Sequence, residues 1–193
     1  MKLSVLIPSI PSRIAAMYKL FNDIETQSKG KDIEILSFMD NKKRSIGYKR
    51  DALVQIARGD YLTFIDDDDY IKPVYISAIL KAIESGSDVL SPKIECTING
   101  GNKFIAIHSI LNENQEARTT NGTWINVTRK PLHNSIWKSS LAKSERFPDA
   151  SYGEDGHWAK RLWPKVKTET IIDEIISGYR FDKEITEAEY IFP

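Results

Sequence analysis

The chain has 193 residues, of which 41% are hydrophobic and 28% charged, so it is long enough to bury a core and its composition argues against wholesale disorder. Its 27 basic and 27 acidic residues cancel, which argues against a protein that clamps duplex DNA through a large basic excess. The single cysteine, Cys96, excludes an internal disulfide framework and a multi-cysteine zinc site.

The sequence has no feature of a membrane or secreted protein. No apolar run approaches the length of a membrane span. The apolar residues 3–7 are too few for a secretory signal, and no small-residue cleavage site follows them. We therefore expect a protein of the reducing cytoplasm without a transmembrane segment.

The first half of the chain alternates strand and helix patterns. The predicted strands cover residues 3–7, 33–39 and 61–65, and a fourth begins at 89. Three helices are predicted. The first follows Ser12, the second covers residues 46–58 with Gly59 as its C-cap, and the third runs from Pro73 to Gly86. This alternation predicts a mostly parallel sheet with helices on both faces, in which ligands bind at the carboxyl ends of the strands.

The second half has a different pattern. Asn99-Gly100-Gly101-Asn102 predicts a hairpin between strands at 94–98 and 103–107. The remaining predicted elements are a polar loop over 112–123, a strand over 124–128, a short helix around Leu141, a helix over 154–163 and a late strand over 165–172. We interpret this half as an elaboration of the same sheet.

An aspartate run, residues 66–69, directly follows the third predicted strand. Four adjacent carboxylates repel one another at the end of a buried strand, and a divalent cation would relieve that repulsion. Mg²⁺ and Mn²⁺ prefer carboxylate oxygen and commonly bridge to phosphate. The alternative is a solvated acidic turn that complements the next helix N-terminus. The position at the carboxyl edge of the sheet favours the metal.

A second acidic motif, Gly153-Glu154-Asp155, opens the last predicted helix. One interpretation is a pair of carboxylates that complements the helix dipole. The functional interpretation is a general base at the edge of a cleft, which takes a proton from a hydroxyl as its oxygen attacks.

Taken together, four segments carry a family resemblance. They are Ser4-Val5-Leu6-Ile7-Pro8-Ser9, the block Ser45-Ile46-Gly47-Tyr48-Lys49-Arg50-Asp51-Ala52-Leu53, the block from Ala57-Arg58-Gly59 through the strand to Asp66-Asp67-Asp68-Asp69, and Gly153-Glu154-Asp155. Their order and spacing resemble the family-2 glycosyltransferases over about residues 2–163. Asp51 departs from the pattern, because many relatives have asparagine there, and it is assigned no contact.

The resemblance implies a GT-A (nucleotide-diphospho-sugar transferase) α/β fold, with a mostly parallel Rossmann-like sheet, helices on both faces and an added hairpin region for the acceptor. It implies one catalytic domain over 1–193, with residues 1–92 binding the nucleotide-sugar and 93–193 supplying the acceptor site and the base. The implied activity is that of a metal-dependent, inverting hexosyl- or N-acetylhexosaminyltransferase of a small bacterial or phage type. The donor would be a nucleotide-sugar, with a UDP-sugar favoured, and the acceptor a hydroxyl on a glycan or other polymer.

The resemblance also implies roles for the residues that bind the nucleotide. Pro8, Ser9 and Arg13 would lie near the base, and Asp40 would close that pocket from the end of the second strand. Arg50 would lie beside the pyrophosphate or the ribose.

Further roles concern the metal and the chemistry. Asp66 would approach the ribose and sugar. Asp66 and Asp68 would together bind the metal, Mn²⁺ or Mg²⁺, that bridges the diphosphate. Asp155 would be the catalytic base, with Glu154 beside it as a substrate contact. His133 is a candidate for a further metal ligand or for a contact to the acceptor or the diphosphate. The simpler alternative is that His133 is a structural residue that only forms hydrogen bonds.

Aromatic residues are less specific indicators. The four tryptophans, Trp124, Trp137, Trp158 and Trp163, are mostly core candidates. Trp124, after the polar loop, is the best candidate to stack on a sugar or base, although a core position is favoured for it as well.

Two other functions stay open on the sequence. A phage enzyme of this type could glycosylate a hydroxymethylated DNA base, and the basic clusters at residues 42–44 and 129–130 keep that possibility open despite the neutral net charge. A non-catalytic sugar-nucleotide-binding subunit is the other alternative, against which the retained Asp66, Asp68 and Asp155 argue.

Overall fold

The computed structural model describes residues 1–118 and 122–182, with only the backbone of Trp124. The strands are β1 (Leu3–Ser9), β2 (Ile33–Met39), β3 (Tyr61–Phe64), β4 (Tyr70–Ile71), β5 (Val89–Ile98), β6 (Phe104–His108), β7 (Gln115–Arg118), β8 (Trp124–Arg129), β9 (Ile136–Lys138) and β10 (Glu169–Phe181). The helices are α1 (Ile14–Ser28), α2 (Ile46–Ile56), α3 (Tyr75–Ile83), α4 (Ser139–Ala142) and α5 (Glu154–Leu162).

The described strands form one sheet in the order β2-β1-β3-β9-β5-β6-β8-β7, and β10 pairs with β5 and β4 beside this path. Strands β2, β1 and β3 are mutually parallel, which confirms the predicted α/β class with a mostly parallel central sheet. The same sheet runs through both predicted halves of the chain, and the division of donor and acceptor binding between them stays a prediction.

Helices cover both faces of the sheet. Along β1, Val5 and Ile7 pack into a core with α1 and α3, whereas Leu6 packs into a second core with α2 and α5. Successive side chains of a strand point to opposite faces, so one buried strand serves both cores. In the second core, Trp137 and Trp158 are fully buried, with ring centroids 5.5 Å apart, which confirms the core prediction for this pair.

Strand β9 is absent from the sequence prediction. It is antiparallel to both β3 and β5 and therefore separates them. Three residues are too few to show a strand periodicity, so only the sheet reveals this strand. The segment before β9 runs along the end of β3, where the Phe64 N–H donates to the His133 carbonyl at 3.3 Å. This connection carries His133 to the carboxyl edge of the sheet.

Several predicted boundaries are wrong. The predicted loop over 112–123 contains β7, whose four residues, three of them polar, show no apolar alternation and are held by pairing with β8. Strand β5 is one ten-residue strand rather than two runs, and β10 extends to Phe181. Helix α1 begins at Ile14, because Pro11–Arg13 forms a 3₁₀ turn first. The predicted hairpin is confirmed as β5 and β6, with Asn99 and Gly100 at positive φ.

Gly59 is not the C-cap of α2. The helix begins after Ser45, whose hydroxyl accepts from the Tyr48 N–H at 3.0 Å, and it ends at Ile56. A Cβ atom on Gly59 would lie 2.6 Å from the Ser4 backbone nitrogen. A glycine is therefore required because the chain passes directly against β1.

Replacing Gly59 by alanine is expected to destabilise the protein by about 1–3 kcal/mol, the usual cost of forcing an extra carbon into a packed interior. For a chain of this size the melting temperature should fall by about 2–4 °C per kcal/mol in a thermal unfolding scan. The matched control is Gly156→Ala, because no atom lies within 4 Å of its added Cβ. Equal melting temperatures for the two variants would contradict the close approach.

Candidate active site

A cleft of about 510 Å³ opens at the carboxyl ends of β1 and β3. Because these strands are parallel and adjacent, the loop after Ser9 and the aspartate run after Phe64 meet at one edge of the sheet. Nine of the predicted site residues line this cleft, namely Pro8, Ser9, Arg13, Arg50, Asp66, Asp68, His133, Glu154 and Asp155. For Trp124 the side chain lies outside the described part, so its stacking role stays a prediction.

Asp40 lies beside the cleft and is held by a lysine that the sequence reasoning missed. Its carboxylate accepts the backbone N–H groups of Lys42 and Arg44 at 3.2 and 3.0 Å, and it forms a 2.6 Å ion pair with Lys49. Lys49 is buried and also donates to the Ser9 carbonyl at 2.9 Å. The Lys49 ammonium lowers the pKa of Asp40. This lysine therefore ties the ends of β1 and β2 together.

Within the aspartate run, Asp67 braces the loop after β1. It is buried, it accepts from the Ser9 hydroxyl at 2.7 Å, and it pairs with the Arg13 guanidinium at 3.0 Å. The same Arg13 nitrogen lies 3.1 Å from Asp68. Nothing in a run of four identical residues indicates which one makes these contacts, so Asp67 cannot be identified from the sequence.

Arg50 is a buried cation in the wall of the cleft. It lies on α2 and pairs with Asp66 at 2.9 Å and with Glu154 of α5 at 3.1 Å. Its guanidinium carbon lies 5.2 Å from the centroid of the Phe64 ring. Its Nη1 is buried and has no hydrogen-bond partner among the described residues. Arg50 thus joins the two acidic motifs that the sequence places 88 residues apart, since 154 − 66 = 88.

His133 lies between the carboxylates of Asp155 and Asp66. Its Nδ1 is 2.8 Å from Asp155, an ion-pair contact whose angle falls outside hydrogen-bond geometry, and its Nε2 is 3.6 Å from Asp66. Burial and the charge of Arg50 act to lower the pKa of His133, but Asp155 and Asp66 outweigh them and raise it to about 9. The imidazole is therefore a cation at neutral pH. It faces Asp66 while protonated, and its predicted role as a metal ligand would require loss of that proton.

Asp155 is held ionised in a defined orientation. Its Oδ1 accepts from the Gly156 N–H at 2.7 Å in the first turn of α5, and its Oδ2 faces His133. Burial acts to raise the pKa of Asp155, whereas His133 and Arg50 hold it below its usual range. The carboxylate retains partial exposure to the cleft.

The other aspartates differ in their charge environment. Burial and the neighbouring Asp66 raise the pKa of Asp68 to about 6, against the opposing charge of Arg13. Asp69 turns away from the cleft and accepts the Arg180 N–H at 3.0 Å. Asp66, Asp67 and Asp68 line the cleft, but Asp67 is buried against Ser9 and Arg13, so Asp66 and Asp68 are the more exposed carboxylates there.

These two carboxylates fit a hard divalent cation that is completed by its substrate. No group of three or more His, Cys, Asp or Glu side chains within residues 1–118 and 122–182 is arranged to hold a metal alone. Mg²⁺ sites that bind phosphates commonly use only one or two carboxylates, with waters and phosphate oxygens as the other ligands. A bound cation would also relieve the crowding that raises the pKa of Asp68.

No helix in the described residues combines the length and apolar character needed to cross a membrane.

Comparison with solved structures finds the same architecture in TarS from S. aureus. The chain matches TarS 1–349 in complex with UDP-GlcNAc at a TM-score of 0.69 and 18% identity, covering 99% of this chain and 62% of that one. The TarS 1–349 complex with UDP matches at a TM-score of 0.67 and 18% identity, covering 93% of this chain and 60% of that one. A longer TarS structure matches at a TM-score of 0.65 and 17% identity, covering 93% of this chain and 37% of that one. The chain thus spans about 60% of the length of TarS 1–349.

No curated protein matches the sequence significantly. The sequence model described as "Glycosyl transferase family 2" matches residues 11–143, which include the aspartate run and end before Glu154 and Asp155. The match covers more than half of the chain, and the structural similarity extends the GT-A fold to the described residues after 143. The chain therefore belongs to glycosyl transferase family 2.

Proposed function

We propose that this protein transfers a sugar from a nucleotide-sugar, a UDP-sugar in the first instance, to a hydroxyl acceptor with inversion at the anomeric carbon. The observation that carries this proposal is the presence of Asp66, Asp68 and Asp155 in one cleft, joined through Arg50 and His133. A purely binding subunit would not need an oriented, ionised carboxylate facing the cleft. The relative TarS has been solved with UDP-GlcNAc, which supports the choice of donor.

The nucleotide would occupy the part of the cleft near the ends of β1 and β2. There Asp40 and Lys49 support the end of β1 at Ser9, and Arg13 is fixed by Asp67. Asp66 and Asp68 would hold a divalent cation, and the chemistry that this cation supplies is to offset charge on the departing diphosphate. His133 and Arg50 add positive charge beside Asp66.

Asp155 would accept the proton of the acceptor hydroxyl as that oxygen attacks the anomeric carbon. The new carbon–oxygen bond forms as the bond to the diphosphate oxygen breaks on the opposite face, so one base is sufficient and the configuration inverts. The low pKa of Asp155 makes it a weak base in the ground state. The proton therefore passes late, when bond formation has made the hydroxyl strongly acidic.

The donor half of the proposal is tested by thermal shift with UDP, GDP and TDP, each with Mn²⁺, Mg²⁺ or EDTA. We expect UDP with a divalent cation to stabilise the protein by about 2.7 kcal/mol at 100 times its Kd. The Asp68→Ala variant should lose this stabilisation. The control is Asp173→Ala, because Asp173 is exposed on β10. Stabilisation by UDP that is unchanged by EDTA and in Asp68→Ala would remove the cation from the proposal.

A further inference from the structure

A second cavity, of about 250 Å³, adjoins the main cleft on the other side of Asp155. Both cavities are lined by Arg129, Leu132 and Asp155, so Asp155 stands at the boundary between them. Lys130 and Trp163 line only the second cavity. A group bound there would lie next to the proposed base and outside the donor pocket.

The charge of this cavity is positive and incompletely neutralised. Among residues 1–118 and 122–182, the one carboxylate within ion-pair distance of Arg129 is that of Glu116, at 4.0 Å, and the side chain of Arg129 is 37% exposed. The Lys130 ammonium donates to the Ile110 carbonyl at 2.8 Å, and within residues 1–118 and 122–182 no carboxylate lies within ion-pair distance of it. The lining carboxylate, Asp155, is already paired with His133. Two cations at the end of β8 therefore face the cavity with little compensating charge.

An aromatic wall completes the cavity. The Trp163 indole donates its N–H to the Pro131 carbonyl at 2.7 Å, which fixes the plane of the ring. The Lys130 ammonium lies 5.8 Å from a ring centroid of this tryptophan. A fixed aromatic surface beside hydrogen-bond donors suits a polar molecule with an apolar face, such as the C–H face of a sugar ring.

We propose that the second cavity is an acceptor subsite for a hydroxyl-bearing molecule with a phosphate or carboxylate close to the reacting hydroxyl. The inference rests on the proposed transfer function and names its acceptor class. The anionic group would bind Arg129 and Lys130, the ring would pack on Trp163, and the hydroxyl would reach Asp155. The anion forms and breaks no bond, so its role is to position the hydroxyl.

The size of the cavity restricts the acceptor further. Ligand pockets usually measure roughly 300–1,000 Å³, so a cavity of about 250 Å³ accommodates one ring or a short branch rather than a broad polymer surface. An arginine binds phosphate and carboxylate through the same planar donor pair, so both anions share the required chemistry. Separate probes for each anion are needed to distinguish them.

The test is calorimetric titration of the protein with methyl glucoside 6-phosphate, methyl glucuronide and methyl glucoside, each with and without UDP and Mn²⁺. We expect at least one anionic glycoside to bind 10-fold or more tightly than the neutral one, and this preference should shrink at high salt. The anion that binds more tightly identifies the acceptor class.

Variants test whether residues of the second cavity cause the preference for an anionic glycoside. Arg129→Gln combined with Lys130→Gln should remove the preference and leave binding of the neutral glycoside unchanged, whereas Arg129→Lys should retain most of it. The matched control is Lys81→Gln, since Lys81 lies on the exposed side of α3. Equal binding of anionic and neutral glycosides to the wild-type protein, or an unchanged preference in the double variant, would overturn the subsite.

Failure of the proposed function is detected separately. If none of UDP, GDP and TDP binds the wild-type protein with Mn²⁺ or Mg²⁺, the transfer function is contradicted, and the acceptor role falls with it even where an anionic glycoside binds. If UDP binds normally and the anionic preference is absent, the transfer function stands and the acceptor subsite alone is wrong.

Discussion

The Asp155→Asn variant is expected to transfer sugar at least about 10²-fold more slowly than the wild-type protein, with a loss of up to about 10⁴-fold typical of a removed general base. Asparagine has the shape of aspartate but cannot take the proton of the acceptor hydroxyl. The amide oxygen of the asparagine can still accept the Gly156 N–H, so the geometry of the first turn of α5 should persist. The measurement is the initial rate of UDP release in the presence of an acceptor.

Binding of the donor should be unaffected in this variant, because Asp155 lies away from the proposed nucleotide end of the cleft. Thermal stabilisation by UDP and Mn²⁺ is the readout, and Asp173→Asn is the control for a removed surface charge. Proton NMR of the wild-type product should show an inverted anomeric configuration. Turnover in Asp155→Asn close to that of the wild type would show that another group is the base, and a retained configuration would exclude the single-displacement route.

The Arg50→Met variant is expected to lose about 3–5 kcal/mol of unfolding free energy, the usual cost of removing one partner from a buried ion pair. Arg50 is 3% exposed and neutralises both Asp66 and Glu154. Methionine fills much of the space, but it leaves two carboxylates in a cleft wall with one cation fewer. Urea denaturation at neutral pH measures the loss.

The pH dependence of this loss follows from its cause. Burial already raises the pKa of Glu154 above its usual value, and loss of the Arg50 charge raises it further, so the folded variant binds a proton at Glu154 more readily than the unfolded state does. Stability of the variant should therefore increase as the pH falls through the raised pKa of Glu154. Adding Glu154→Gln to the variant should recover part of the lost stability at neutral pH.

The control for a merely altered surface charge is Arg161→Met. Arg161 is 41% exposed and pairs with Glu145 at 3.0 Å, so its replacement should cost less than about 1 kcal/mol. If Arg50→Met proves as stable as this control at neutral pH, Arg50 does not stabilise the fold by neutralising Asp66 and Glu154.

Sequence patterns were sufficient for the main strands and helices in the first half of the fold, but not for the two-residue strand β4 or for the end of α2. Strands β1, β2 and β3 are continuous runs of β-forming residues bounded by turn residues, and the helices between them show apolar spacing. Because parallel strands end at one edge of a sheet, the position of residues 66–69 after a strand already indicated where the cleft would lie.

Hydrophobic periodicity in the sequence was not sufficient to predict the second half of the fold. Strand β9 has three residues, and β7 is a polar strand that exists through pairing with β8. The helix at α5 was predicted from its apolar face, but its packing against α2, which brings Glu154 to Arg50, is a tertiary contact.

The sequence by itself determined the fold class, the sheet edge that carries the site and the two acidic motifs, because these follow from local propensity and strand order. Only the tertiary structure decided what each carboxylate does. Asp67 braces Arg13, Asp69 binds the Arg180 backbone, and Asp66 and Asp68 face the cleft, although all four are the same residue in one run. A side chain's charge state and role depend on which partners approach it in space, and those partners come from segments distant in the chain.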